Sequence, residues 1–181
     1  MGCKRYFEQD NCPYYPTDCD HCEHSYSYTE EDIEVKEEPK VFVVYKGIKI
    51  DENKERPVRR QIEVVPFNEE LEYLQNLVGG YIEHFIIDDE LDMLNIDMWI
   101  NEEGKFRSDF LPSFALMHDG SLYDVIMGPC VFSKYNDEGE TLGLSLNEMN
   151  VVIDWLNNQQ IGGLISKDSQ EADIPVICVS R

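Results

Sequence analysis

Positive charge is what this sequence most lacks. Its 181 residues carry 15 Lys and Arg against 37 Asp and Glu, a net charge of −22. An excess of this size repels nucleic acid and anionic membrane surfaces before any specific contact forms, so neither is an expected partner. Long apolar runs are missing too, and none approaches the roughly 18 residues that a membrane span needs. The opening MGCKRYFEQD has no apolar stretch of the kind a secretory signal carries. Tyr6 stands where a myristoylation pattern wants Ser or Thr. The expectation is a soluble protein of the cytoplasm. No G-x-S-x-G elbow, H-E-x-x-H helix or phosphate-binding P-loop occurs, so no motif nominates an enzyme's machinery, and none is expected.

What is present begins with an ordinary apolar content of 42%, enough for one core in a chain of this length. Three zones follow one another. Residues 1–28 are rich in Cys, Tyr, His and Asp and poor in aliphatic side chains. Residues 29–40, TEEDIEVKEEPK, form an acidic linker. Aliphatic, periodic sequence fills 41–181.

In that third zone, VFVVYKGIKI (41–50), VRRQIEVVPF (58–67), YIEHFII (81–87), LNIDMWIN (94–101) and IPVICVS (174–180) read as strands. LYDVIMGPCVFS (122–133) reads as one more, bent or ended near Gly128-Pro129. NEELEYLQNLVGG has Asn68 as a cap, Leu71, Leu74 and Val78 at helical spacing, and Gly79-Gly80 as a stop. Ser145 and Glu148 form an S-x-x-E capping box. A helix follows with Met149, Val152, Ile153 and Leu156 on one face, and Gly162-Gly163 is expected to end it. Helices among strands without regular βαβ alternation give an α+β fold: a mixed or antiparallel sheet, two main helices, and a small Cys-rich appendage.

Cys3, Cys12, Cys19 and Cys22 are the candidate metal ligands. Cys19 and Cys22 are separated by two residues, which lets two thiolates converge on one tetrahedral zinc. A segment this poor in core residues needs a metal or disulfides to fold. Free thiols, a disulfide, or a redox pair are the alternatives, and His21 and His24 are alternative ligands. Cys130 and Cys178 sit in apolar runs and read as core. His84, alternating with apolar residues, reads as a strand histidine on a polar face, and His118 as the residue before an Asp-Gly turn.

The stretch 83–103 holds eight carboxylates and no Lys or Arg. Its acids have no EF-hand spacing, which argues against calcium. Nothing separates a general acid from a bystander. The remaining reading makes the charge itself the function. Duplex DNA presents one negative charge per roughly 1.7 Å of axis, and a folded surface of carboxylates can occupy a channel built for it. Glu83, Asp88, Asp89, Glu90, Asp92, Asp97, Glu102 and Glu103 are the candidate partner-binding acids, with Trp99 as an aromatic anchor. Asp97 is expected on the polar face of its strand, where side chains recur about every 7 Å.

LEYLQNLVGGYIEHF (71–85), NEEGK (101–105) and DVIMGPCVF (124–132) occur in that order. They resemble an uncharacterised family of small phage and mobile-element domains with the pattern LQ-x-x-VGGYIE, NEEGK, D-x-I-x-G. The resemblance spans about residues 41–156 and transfers no catalytic residue. It implies a phage or mobile-element origin and a role in the cytoplasm of an infected bacterium. Small acidic phage proteins of that setting resemble anti-CRISPR and antirestriction proteins. The expected function is therefore a DNA-mimicking inhibitor of a basic, nucleic-acid-handling effector, a Cas9-type nuclease being the concrete case. The alternative is a zinc-containing phage accessory protein that binds another protein or nucleic acid, helped by the basic island KERPVRR (54–60).

Overall fold

A computed structural model describes residues 2–3, 25–26, 39–50, 58–165 and 173–180. The chain divides into two compact units, Met1–Glu37 and Glu38–Arg181. In the first, the described residues are β1 (Gly2–Cys3) and β2 (Ser25–Tyr26), an antiparallel pair. Of the candidate zinc ligands, Cys3 lies in β1 with its backbone opposite Ser25. Cys12, Cys19 and Cys22 lie outside the described residues, as does the linker up to residue 38.

The second unit is α+β. It carries β3 (Val41–Ile50), β4 (Val58–Pro66), α1 (Leu71–Val78), β5 (Ile82–Phe85), the one-turn α2 (Asp89–Asp92) and β6 (Ile96–Asn101). There follow β7 (Pro112–His118), β8 (Ser121–Met127), β9 (Cys130–Tyr135), β10 (Thr141–Leu142), α3 (Leu146–Asn158), β11 (Gln160–Ile165) and β12 (Asp173–Ser180). Two sheets result. One runs β4-β3-β9-β6-β5, antiparallel throughout, with β10 paired to β9. The other runs β11-β12-β7-β8, parallel only between β12 and β7.

Alternation along the central strands explains the layering, because successive side chains point to opposite faces. Val43, Tyr45, Met98 and Phe132 enter one core with Phe114 and Leu116 of β7, Ile177 of β12, and Val152, Trp155 and Leu156 of α3. Phe42, Val44 and Val131 face the other way, against Leu74 and Val78 of α1. The larger sheet is thus covered on both faces, by α1 on one and by α3 and the smaller sheet on the other. Ser145 Oγ accepts from the Glu148 N–H and Glu148 Oε2 accepts from the Ser145 N–H, which is the capping box read from the sequence. The C-terminal cap of α3 is fixed from a distance: Arg60 Nη2 donates to Gln159 O at 2.6 Å, a cation at the negative end of the helix.

Several boundaries differ from expectation, each for a local reason. α1 starts at Leu71 because Asn68 Oδ1 accepts from the Glu70 N–H, a turn one step ahead of the helix. The run 122–133 is two strands in different sheets, since Gly128 turns the chain at φ +87°. Gly162-Gly163 does not end α3, which stops at Asn158; the glycines pair with Val176 and Pro175 inside β11. Strand β7 was not foreseen, since its buried PSFALM run has no polar alternation to mark it.

Candidate partner-binding surface

The three motifs meet in space. Gly79 caps α1, donating to Gln75 O at 2.9 Å, and the chain turns into β5. Asn101, the first residue of NEEGK and 5% exposed, reaches back: its Nδ2 donates to Val78 O at 3.3 Å and its Oδ1 accepts from the Glu103 N–H at 2.9 Å. A Cβ on Gly80 would stand 2.5 Å from Asn101 Nδ2, so the first motif needs glycine where the second presses on it. A Cβ on Gly104 would stand 2.6 Å from Met127 O, which ties the second motif to the third. Phe110 is wedged between them. Its ring lies 2.3 Å from where a Cβ of Gly128 would be and 3.0 Å from that of Gly79, while the Arg107 guanidinium stacks on it at 4.7 Å. Close packing of backbone and amide accounts for these residues, and the junction brings no nucleophile to a base.

The junction does set the acidic stretch. β5 is the last strand of its sheet in the described order. Ile82 stands opposite Asn101 and Phe85 opposite Met98. Glu102 and Glu103 therefore lie beside the start of β5, Glu83 lies on it, and Asp89 and Glu90 follow its end. From residue 82 to residue 88 an extended chain covers about 20 Å. All five of these carboxylates are exposed and none takes part in an ion pair among the described residues, although Glu103 acts electrostatically on Arg107. Four acids elsewhere do pair with a Lys or Arg: Glu63 with Lys46, Asp124 with Lys105, Asp109 with Arg107, Glu148 with Lys134.

Three of the expected partner-binding acids serve the fold. Asp88 is the N-cap of α2 and accepts from the Glu90 N–H at 2.8 Å. Asp92 accepts from the Tyr135 hydroxyl at 3.1 Å. Asp97 corrects the expectation most sharply. It is 5% exposed, because its face of β6 adjoins Ser133 of β9 and shares the layer that α1 covers. Ser133 Oγ donates to Asp97 Oδ1 at 2.6 Å, and His84 Nε2 lies 3.1 Å from Asp97 Oδ2. Trp99, half-buried, donates its indole N–H to Ser133 Oγ at 2.9 Å, so its polar edge is committed inward. Burial raises the Asp97 carboxyl above the usual carboxylate range, against the opposing pull of Ser133 and His84.

His84 is the member of this network that sequence reading treated as incidental. The signal is its register: it stands opposite Trp99 on the adjacent strand, on the same face as Asp97. Ser133, Asp97 and His84 are not a catalytic triad. The hydroxyl donates to the carboxylate, not to the imidazole, and Ser133 is fully buried; a triad needs the histidine between the other two. Among the described residues, no group of three or more His, Cys, Asp or Glu is placed to hold a metal ion. None of the described helices is long and apolar enough to cross a membrane.

Apolar side chains break the acidic surface. Met93 is 77% exposed, Leu94 48% and Ile86 41%, all within the α2 region. An open groove of about 620 Å³ is lined by Ile86 with His84, Asp88, Asp89, Glu90 and Ser180.

The class defined here is a two-sheet α+β domain with an exposed acidic edge. The chain belongs to the family described as a domain of unknown function, DUF3846, whose pattern matches residues 45–157. All three motifs fall within the match, and β11 and β12 lie beyond it. No curated protein and no solved structure matches the chain.

Proposed function

We propose that this chain is a binding protein without turnover that engages a basic, nucleic-acid-handling protein and inhibits it by occupying that protein's cationic surface. In its most concrete form it is a phage- or mobile-element-encoded, anti-CRISPR-like inhibitor acting in the host cytoplasm, with a Cas9-type nuclease as target. One observation carries the reading: Glu83, Asp89, Glu90, Glu102 and Glu103 are exposed, have no ion pair among the described residues, and lie on and around β5. Unmatched charge costs folding free energy through self-repulsion, and a cationic partner relieves that cost.

The test is inhibition of DNA cleavage by a purified Cas9-type nuclease, with binding measured at two salt concentrations. Each exposed carboxylate is worth about 0.5 kcal/mol against a facing Lys or Arg. A variant with all five acids changed to amides should then bind roughly 70-fold more weakly, since five such terms total about 2.5 kcal/mol. The reading fails if the wild-type chain does not associate with the nuclease even at low salt. It also fails if the five-amide variant inhibits equally well.

A further inference from the structure

A surface that only imitated a nucleic-acid backbone would present carboxylates and polar atoms. The α2 region does more. Helix α2 turns Leu91 inward, at 2% exposed, and leaves Met93 and Leu94 outside with Asp89 and Glu90. Ile86 stands just before the helix cap. A two-residue extended approach and one helical turn put Ile86 within about 14 Å of Met93. The exposed apolar side chains thus lie within the length of two to three turns of a partner helix, beside acids that have no ion pair among the described residues. Asp88 and Asp92 are engaged in the fold, so Asp89 and Glu90 are the charges on offer there.

We propose that Ile86, Met93 and Leu94, with Asp89 and Glu90 beside them, dock a basic amphipathic helix of the partner protein. The proposal rests on the reading above and names the element that the acidic edge takes. Charge complementarity fixes the sign of the partner's flanks: Lys and Arg heads reach the two free carboxylates. The exposed Met93, a flexible and adaptable side chain, suits an apolar partner stripe at i, i+3, i+4 spacing. Acids then govern the approach and its salt dependence, while the apolar strip governs how long the complex lasts.

The experiment titrates the full chain with two synthetic peptides of equal charge, a Lys/Leu amphipathic helix and an oligolysine, at low and at 0.5 M salt, with amide shifts recorded by NMR. The amphipathic peptide should bind at least tenfold more tightly than oligolysine, keep most of that margin at high salt, and shift amides of residues 86–94. Met93→Ser with Leu94→Ser should abolish the margin and leave oligolysine binding unchanged. Ile86→Ser is the second variant should the double one misfold. Asp89→Asn with Glu90→Gln should weaken both peptides. Equal affinity of the two peptides for the wild type overturns the proposal, as does a margin that survives the serine variants. Failure of oligolysine to bind at low salt counts against the acidic-edge reading instead, and amide shifts elsewhere place the apolar contact on another face and overturn the proposal alone.

Discussion

Gly128→Ala tests whether the three motifs form one packed junction. The residue sits at φ +87°, where an L side chain costs about 1–2 kcal/mol. Its added Cβ would also stand 2.3 Å from Phe110 Cδ2, far inside van der Waals contact. Overpacking of this kind adds about 1–3 kcal/mol, so the total expected loss is about 2–5 kcal/mol. The two contributions separate in a double-mutant cycle. With Phe110→Ala already in place the overlap is gone, and Gly128→Ala should then cost only the backbone strain, about 1–2 kcal/mol, leaving a coupling of about 1–3 kcal/mol. Urea unfolding followed by tryptophan fluorescence reads both. Trp99 lies with the α1-side layer and Trp155 in the core on the opposite face, so each layer carries a probe. With an m-value of about 2 kcal/mol/M, a 3 kcal/mol loss moves the midpoint by about 1.5 M. If Gly128→Ala costs the same in both backgrounds, Phe110 is not the wedge and the junction is misdescribed.

Two further predictions concern buried and half-buried carboxyls. Burial pushes the Glu148 carboxyl up, but Lys134 and the Ser145 N–H and O–H outweigh it and hold the group at about 2, below its ordinary 4.5. A folded value below the unfolded one stabilises above pH about 4.5 and is lost as pH falls toward 2. Discounted for partial exposure, Glu148→Gln should cost about 1–2 kcal/mol in urea melts at pH 7 and about a quarter of that at pH 2.5; an equal cost at both would remove the ionic contribution. Asp97 is the opposite case: burial raises its carboxyl, so its ionised form is disfavoured in the fold, and wild-type stability relative to an amide falls as pH rises through the carboxyl's titration. Asp97→Asn, which still accepts from Ser133, should match or exceed wild-type stability at pH 7.5, and a loss beyond about 1 kcal/mol there would mean that the ionised Asp97–His84 pair is net favourable.

What was legible in the sequence was local. The Ser145–Glu148 box, the period of α1 and the β-branched runs of β3 and β4 specify their elements within a few residues, and each recurs in the fold. What was not legible depends on what lies across a face. In β6, Ile96, Met98 and Ile100 alternate with Asp97, Trp99 and Asn101, which looks like a core face and a solvent face. The second face is covered as well, because α1 packs on it and Ser133 and His84 supply partners from strands far along the chain. No pattern within IDMWIN announces that. β7 was missed for the converse reason: a strand buried on both sides has no alternation to show. Gly162-Gly163 misled because a glycine pair marks a helix stop only if the helix reaches it, and α3 had already ended at Asn158.

The distribution of charge pairs bears on whether the acidic edge is only a solubilising face. Solubility asks for charge spread over a surface, with the apolar side chains withdrawn from it. Elsewhere in the described residues some exposed acids stand beside cations, Glu63 by Lys46, Asp109 by Arg107 and Asp124 by Lys105, while others, such as Glu69, Glu72 and Glu138, have no ion pair there. Around α2 the two features fall on neighbouring residues. The acids go unmatched while Met93 and Leu94 stand out beside Asp89 and Glu90, an arrangement that raises self-repulsion and exposes apolar area together. Neither feature helps an isolated molecule, and each is relieved by one kind of surface, cationic at its margins and apolar along its centre.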